Sequence, residues 1–173
     1  MARLAYISGL IAVLITMGII SSPALALIQP VLFFSPDVVE SNTGDDVQVH
    51  LMMDSAPRGL SGYGLIISLD TPDIADITGI DLPRWTCLQD TQQQSDSSYF
   101  IQGVDTDGRQ QQGVQKIDMA TVKVHAKAPG YAIIRATPVM IDDNQKGRYE
   151  LNPVAMTIII TGAGPVPIIP MST

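Results

Sequence analysis

The sequence predicts an all-β fold, a sandwich or a barrel of short strands, and three observations support this. Apolar and polar residues alternate with a period of two in several segments, which is typical of strands with one buried face. Gly, Asn, Asp and Pro separate these segments at turn positions. After residue 26, no segment has the apolar periodicity of an amphipathic helix. Many short strands at this spacing favour a sandwich or a barrel.

The alternation is clearest in four segments, and it defines an expected inward set. Its members are Val47, Val49, Leu51 and Met53; Leu65, Ile67 and Leu69; Ala120, Val122, Val124 and Ala126; and Val154, Met156, Ile158 and Ile160. Turn residues fall at 42–45, 56–59, 105–108, 128–130 and 142–144. Strands are therefore predicted near 30–35, 46–54, 62–70, 73–81, 98–104, 115–127, 131–139 and 154–161. The polar stretch 89–97 is predicted to be a loop.

The N-terminus has the pattern of a secretory signal peptide. Arg3 precedes an apolar run, Ser22-Pro23 ends that run, and an Ala-x-Ala pattern ends at Ala26. The sequence therefore predicts a signal peptide over 1–26, cleavage after Ala26 and a secreted or cell-surface location; a retained membrane anchor is the alternative. A folded domain is predicted over 27–161. The Gly- and Pro-rich segment 162–173 is predicted to be a short tail that does not span a membrane.

The charge and the cysteine content narrow the classes of partner. The net charge is −7, and it becomes −8 if residues 1–26 and their one charge, Arg3, are removed. An acidic chain argues against nucleic acid and against anionic membrane surfaces, both of which reward Lys and Arg. Cys87 is the one cysteine, so no intrachain disulfide can form. Cys87 is expected to be a buried small apolar residue.

Two adjoining segments carry a family resemblance. Residues 59–70 read GLSGYGLIISLD and residues 72–80 read PDIADITGI. This passage resembles the glycine turn, strand and D-P-x-[V/I]-x-x-[I/V] motif of cohesin modules, and still more the cohesin-like domains of surface proteins from methanogenic archaea. The order of turns and strands from residue 105 to 137 is also similar to that of a cohesin. The resemblance spans about residues 30 to 161.

The resemblance implies a jelly-roll β-sandwich of nine strands, related to cellulose-binding modules. It also implies a non-catalytic binding module, because bacterial cohesins bind dockerin modules on polysaccharide-degrading enzymes. In those relatives an Asn and an Asp on the strand after the glycine turn contact the dockerin. The corresponding positions here are Gly62 and Gly64, a departure from the family pattern.

Four side chains are candidates for ligand contact. Tyr63, Trp85 and Tyr99 are aromatic residues of the kind on which sugar rings stack, and Gln102 follows on the strand predicted at 98–104. We expect Tyr63, Tyr99 and Gln102 to share one face. For Trp85, a place in the core is the favoured alternative, because Trp is usually well buried.

The acidic turns and the two histidines offer candidate metal ligands. Asp105, Asp107, Asp142 and Asp143 are candidate calcium ligands, although solvated turns are the favoured interpretation, since Asp-Gly is a strong hairpin signal. His50 and His125 both fall in the expected outward set. If the cohesin resemblance holds, their strands are neighbours and the two rings could lie close together. Two histidines without further ligands make a poor zinc site.

No catalytic motif stands out, so the sequence predicts a binding module rather than an enzyme. There is no G-x-S-x-G elbow and no H-E-x-x-H motif. The expected ligand is a polysaccharide or a dockerin-like protein, and no cofactor is expected unless calcium binds. The alternative is a self-associating structural component of the cell envelope or of a surface filament.

Overall fold

The computed structural model describes residues 29–162. Within that range the chain forms ten β-strands in two sheets and no helix. The strands are β1 (Leu32–Ser35), β2 (Val38–Asn42), β3 (Asp46–Ala56), β4 (Gly62–Leu69), β5 (Ala75–Asp81), β6 (Leu88–Ser95), β7 (Ser98–Val104), β8 (Val114–Ala126), β9 (Gly130–Asp142) and β10 (Val154–Thr161). The predicted all-β sandwich is confirmed. The predicted signal peptide and nearly all of the predicted tail lie outside the described residues.

The sheets differ in size. The smaller sheet has the order β1-β3-β8-β5, and the larger sheet has the order β2-β10-β9-β4-β7-β6. β10 pairs in parallel with β2, and every other pairing is antiparallel. β5 packs against β4, so β6, two strands further out, extends beyond the smaller sheet.

The core lies between the sheets, and the alternation in the sequence predicted correctly which residues form it. Of the expected inward set all members are buried except Val154, which is partly exposed at the start of its strand. The outward partners of these residues form the two outer faces of the sandwich. A ligand that binds to the flat surface of a sheet must therefore meet one of these two faces.

Two of the ten strands were not predicted. The segment predicted to be a loop at 89–97 is mostly β6, which pairs with β7 over nearly its whole length. β2 is a short strand that pairs only with β10. Both lie at the edges of the larger sheet, where a strand has little or no core to face, and so neither carries the alternating pattern.

β8 contains a bulge, and two aromatic side chains donate hydrogen bonds to the backbone there. The register with β3 shifts between Leu51 and Met52, which leaves Met119 without a cross-strand partner in β3. The Tyr63 hydroxyl donates a hydrogen bond to the Met119 carbonyl at 2.6 Å, and the Trp85 indole N–H donates to the Asp118 carbonyl at 2.7 Å. Two aromatic residues thus donate hydrogen bonds to backbone carbonyls at the bulge and directly beside it.

Candidate functional site

The outer face of the larger sheet carries exposed apolar side chains at its centre. The register aligns Phe100 with Ile66, and Met140 with Gly64, on the side away from the core. We call the surface formed by Ile66, Phe100, Val104, Val139 and Met140 the apolar face. Val139 is 49% exposed and Val104 is 41% exposed. Further along the same sheet, Val38 and Tyr131 are also exposed.

Gly62 and Gly64 lie in the middle of this face. A Cβ at Gly64 would lie 3.0 Å from Met140 Cγ and 3.2 Å from Phe100 Cζ, so these two side chains lie over the glycine. A Cβ at Gly62 would lie 3.1 Å from the Gly103 carbonyl oxygen. The positions where the cohesin resemblance implies polar contacts therefore have no side chain, and their backbone is buried beside apolar neighbours.

Polar and charged groups lie beside the apolar face, and one of them, Gln102, lies within it. Arg135 forms an ion pair with Asp70 at 2.8 Å. Gln102, on β7, donates a hydrogen bond to Asp90 at 3.4 Å on neighbouring β6. An apolar centre with a polar rim is the usual anatomy of a protein–protein interface.

The outer face of the smaller sheet has the opposite character over most of its area. Three polar side-chain pairs cross its strands: the ion pairs of Lys123 with Asp81 at 2.7 Å and of Lys127 with Asp76 at 2.8 Å, and a hydrogen bond between His125 and Asp46 at 2.8 Å. All of these side chains are at least one third exposed. Exposed pairs of this kind add little stability, but they keep a surface hydrated. The two outer faces of the sandwich therefore differ in chemistry.

Tyr63 and Trp85 are not surface residues, and their prediction as ligand contacts is wrong. Tyr63 is 2% exposed and Trp85 is 9% exposed, and their ring centroids lie 5.7 Å apart in the core. Burial raises the pKa of Tyr63 and the nearby Asp118 carboxylate raises it further, so the hydroxyl keeps its proton. The physical reason is the alternation of side chains along β4, which places Tyr63 on the same inward side as Leu65 and Ile67. For Trp85, the core placement that the sequence favoured is the observed one.

Tyr99 and Gln102 lie on opposite sides of β7, so the predicted common face is wrong. Tyr99 is half-buried, packs against the core and donates a long hydrogen bond of 3.4 Å to the Ile77 carbonyl. Gln102 lies on the outer side, aligned with Gly64. Of the four predicted contact residues, Gln102 alone lies on the apolar face, between Phe100 and Val104 on β7. Phe100 and Met140, which the sequence analysis missed, occupy its centre.

The four candidate calcium ligands are held in other interactions. Asp107 pairs with Arg109 at 2.9 Å, and Asp142 pairs with Arg148 at 2.8 Å. The Asp105 carboxylate accepts a hydrogen bond from the Gln110 N–H at 2.6 Å, and its Oδ1 has no partner. No group of three or more His, Cys, Asp or Glu side chains in residues 29–162 is arranged to hold a metal ion.

Asp143 is the centre of a buried junction between loops. Its Oδ1 accepts hydrogen bonds from the backbone N–H groups of Gln145 and Gly147, and its Oδ2 lies 2.5 Å from Arg58 Nε. Burial alone would raise the pKa of Asp143, but the two N–H groups and the Arg58 guanidinium together hold it below its usual value. Arg58 also lies over the Tyr149 ring, 4.8 Å from its centroid. Asp143 therefore has a structural role.

The two histidines lie on neighbouring strands, as expected, but their rings do not meet. His50 aligns with Thr121, whereas His125 aligns with Asp46, four residues further along. Four residues of strand separate the rings by about 13 Å. They cannot share a metal ion.

Cys87 is exposed, so the prediction that it is buried is wrong. Its neighbour Thr86 takes the inward position and donates a hydrogen bond to the Pro83 carbonyl at 2.6 Å. Cys87 therefore lies on the outside, at the start of the edge strand β6.

The fold is similar to that of several solved cohesin structures. A cohesin in a complex with a dockerin from Clostridium thermocellum aligns with a TM-score of 0.64 at 12% identity, over 77% of this chain and 99% of that one. A non-cellulosomal cohesin from the archaeon Archaeoglobus fulgidus aligns with a TM-score of 0.62 at 16% identity, over 77% and 91%. The cohesin module of a family 33 glycoside hydrolase from Clostridium perfringens gives 0.62 at 8% identity, over 78% and 98%.

Sequence comparison adds nothing to this, since no protein-family model matches and no curated protein is similar. The structural likeness spans nearly the whole described region and nearly the whole of each cohesin. At such low identities it establishes the fold. The fold that the resemblance in the sequence implied is therefore confirmed: residues 29–162 have a cohesin-like fold.

Proposed function

We propose that this domain is a non-catalytic, exported protein-binding module that receives a dockerin-like partner on the apolar face. The contrast between the two outer faces carries the proposal. Val139, Met140 and Val104 are exposed on the larger sheet, whereas polar side-chain pairs cover most of the smaller sheet. An exposed apolar patch with a polar rim marks an interaction surface.

Two further observations support a protein as the partner. Several cohesins of similar fold were solved as complexes with dockerins. In addition, Gly62 and Gly64, where the resemblance implies partner contacts, lie within the apolar face. A flat surface of β-strands with projecting apolar side chains suits a partner that presents an apolar helix or loop.

The chemistry of the face constrains the partner. The glycines offer no side chain for hydrogen bonding, and Phe100 and Met140 cover the space beside Gly64. The partner is therefore expected to bring apolar side chains to the centre of the interface and polar groups to the rim near Arg135 and Asp90. Met is an adaptable contact residue because its side chain is flexible and polarizable.

Self-association is the second candidate function, and β6 is the observation that favours it. β6 is an edge strand of eight residues with no Pro and no Lys, the residues that usually block pairing between edges. A second copy could pair with it and extend the larger sheet.

Affinity capture with matched variants tests the proposal. The mature domain is immobilised and exposed to envelope proteins of the source cells, beside Val139→Asp on the apolar face and Lys123→Asp on the polar face. A partner is then produced on its own and titrated by calorimetry. We expect Val139→Asp to weaken binding at least about tenfold, because it buries a charge in the interface, and Lys123→Asp to leave it unchanged.

Size-exclusion chromatography over a range of concentrations separates the two candidates. A monomeric domain that binds a dockerin-like protein supports the proposal. Concentration-dependent assembly without any other partner supports the structural alternative and removes the proposal.

A further inference from the structure

A groove of about 480 Å³ opens on the outer face of the smaller sheet, away from the proposed protein-binding surface. It is lined by Phe33, Ser35, His50, Met52, Lys116 and Asp118, and we call it the β8 groove. Its volume lies within the range of small-molecule sites.

The strand register builds the β8 groove from two adjacent rows. Phe33, Met52 and Asp118 align across β1, β3 and β8. Ser35, His50 and Thr121 form the next row on the same face, two residues further along β1. Two interstrand steps separate the Phe33 ring from the Asp118 side chain, about 10 Å between their backbones. The Phe33 ring and the Asp118 carboxylate thus lie on either side of the Met52 side chain.

Asp118 is held ready for a ligand. Its Oδ1 is buried and has no hydrogen-bond partner within residues 29–162. Asp118 lies opposite Met52, next to the bulge at Met119, and the Trp85 N–H donates a hydrogen bond to its backbone carbonyl. Burial raises the pKa of the Asp118 carboxyl, although the proximity of His50 opposes this. A buried acceptor without a donor costs free energy unless a ligand satisfies it.

Lys116 and His50 provide the complementary groups. Lys116 has a φ of +55°, a left-handed conformation that side chains other than Gly, Asn and Asp rarely adopt. It makes no ion pair with any described residue. The His50 Nδ1 lies 3.1 Å from the Thr121 hydroxyl, which leaves its Nε2 for another partner. The left-handed backbone at Lys116 is strained, and backbone strain of this kind concentrates at functional sites.

We propose that the β8 groove binds one neutral sugar unit of a glycan. One carboxylate and one ammonium give the groove no net charge, which disfavours ionic ligands. A pyranose ring presents a C–H face that stacks on an aromatic ring such as Phe33. Its hydroxyls donate to Asp118 and accept from Lys116. No three His, Cys, Asp or Glu side chains among the described residues are grouped to hold a metal ion, so the groove does not fit a metal cation.

Titration of the ¹⁵N-labelled mature chain with sugars, followed by NMR, tests this inference. The probes are glucose, cellobiose, N-acetylglucosamine and chitobiose at millimolar concentrations. We expect shifts in β1, β3 and β8 for at least one pair, and the pair that binds distinguishes a hexose polymer from an N-acetylated glycan. No shift with any probe, or shifts confined to the apolar face, would overturn the inference.

Three variants and a control strengthen the test. Phe33→Ala and Asp118→Asn are expected to weaken sugar binding at least about tenfold, because they remove the aromatic ring and the charged acceptor, respectively. Lys116→Gly relieves the left-handed backbone, so its melting temperature is expected to stay level or rise while its affinity falls. Lys123→Gln, on the same face outside the groove, is expected to bind normally. Unchanged affinity in Phe33→Ala and Asp118→Asn would refute the site.

Discussion

At the scale of single residues, Asp143 and its partners connect loops that are far apart in the sequence. Arg58 follows β3, whereas Asp143 and Tyr149 follow β9, and the Tyr149 hydroxyl donates a hydrogen bond to the Gly59 carbonyl at 3.0 Å. The sequence identified 142–144 as an acidic turn but gave no sign that one of its carboxylates is buried. Alternation describes strands, and it contains no information about which loops meet.

Replacing Asp143 with Asn keeps the shape of the side chain but removes its charge. We expect a loss of about 2 kcal/mol in the free energy of unfolding, since the change leaves Arg58 partly buried without its anion. Asp107→Asn removes the exposed pair with Arg109 and is expected to cost less than about 1 kcal/mol. Urea denaturation of both variants measures the difference, and equal costs would contradict the structural role of Asp143.

The same carboxylate predicts a pH dependence. The pKa of Asp143 in the folded state lies below its usual value, which is about 3.9 in the unfolded chain. Its contribution to stability is therefore complete above about pH 5 and is lost as the pH falls below about 4 toward the folded-state pKa. Denaturation at a series of acidic pH values should show a shallower loss in Asp143→Asn than in the wild type. Identical pH profiles would show that another group causes the acid sensitivity.

Tyr63 illustrates how an aromatic residue in a β-strand can be misassigned. The sequence could not show that the bulge in β8 leaves the Met119 carbonyl in need of a donor. We expect Tyr63→Phe to cost about 1–2 kcal/mol in unfolding free energy, because a buried acceptor loses its partner. Tyr131→Phe, at a site 65% exposed, should change stability by less than about 0.5 kcal/mol. A ligand-contact role for Tyr63 would instead show as normal stability with impaired binding.

At the scale of elements, strands with a buried face were predictable and the edge strand β6 was not. β3, β4, β8 and β10 each have one side in the core, so their sequences alternate. The larger sheet has two strands more than the smaller one, and β6 extends past it. With solvent on both sides, β6 carries a polar sequence that resembles a loop.

Amide hydrogen exchange distinguishes a strand from a loop at β6. In a strand paired on one side, N–H groups that point toward β7 are protected while those that point to solvent exchange quickly. We therefore expect alternating protection over 88–95 in NMR exchange spectra. Uniformly fast exchange across this segment would contradict its assignment as a strand, and uniform protection in a concentrated sample would indicate pairing with a second copy.

At the scale of the whole molecule, the fold class followed from the sequence but the position of the proposed binding surface did not. Period-two alternation separates inside from outside on each strand, and the passage at 59–80, with the order of turns and strands after it, resembles a cohesin. Which outer face is apolar depends on how β4, β7 and β9 lie beside one another. Phe100 and Met140 are distant in the sequence and become neighbours only across Gly64.

The arrangement of charges also predicts the response to calcium. Asp107, Asp142 and Asp143 are each paired with an arginine. We expect the melting temperature of the domain to be the same in millimolar calcium and in chelator, since a ligand that binds only the native state would raise it. A clear increase with calcium would reveal a site that these pairs do not account for.

The central claim is that the apolar face, and not the polar face, meets a protein partner. Site-specific photo-crosslinking tests it most directly, with benzoylphenylalanine placed at Val139 in one sample and at Lys123 in another. Each labelled domain is irradiated with native envelope proteins, and the products are identified by mass spectrometry. We expect one partner with a dockerin-like module to be crosslinked from position 139 and not from 123. The same partner crosslinked only from position 123 would contradict it.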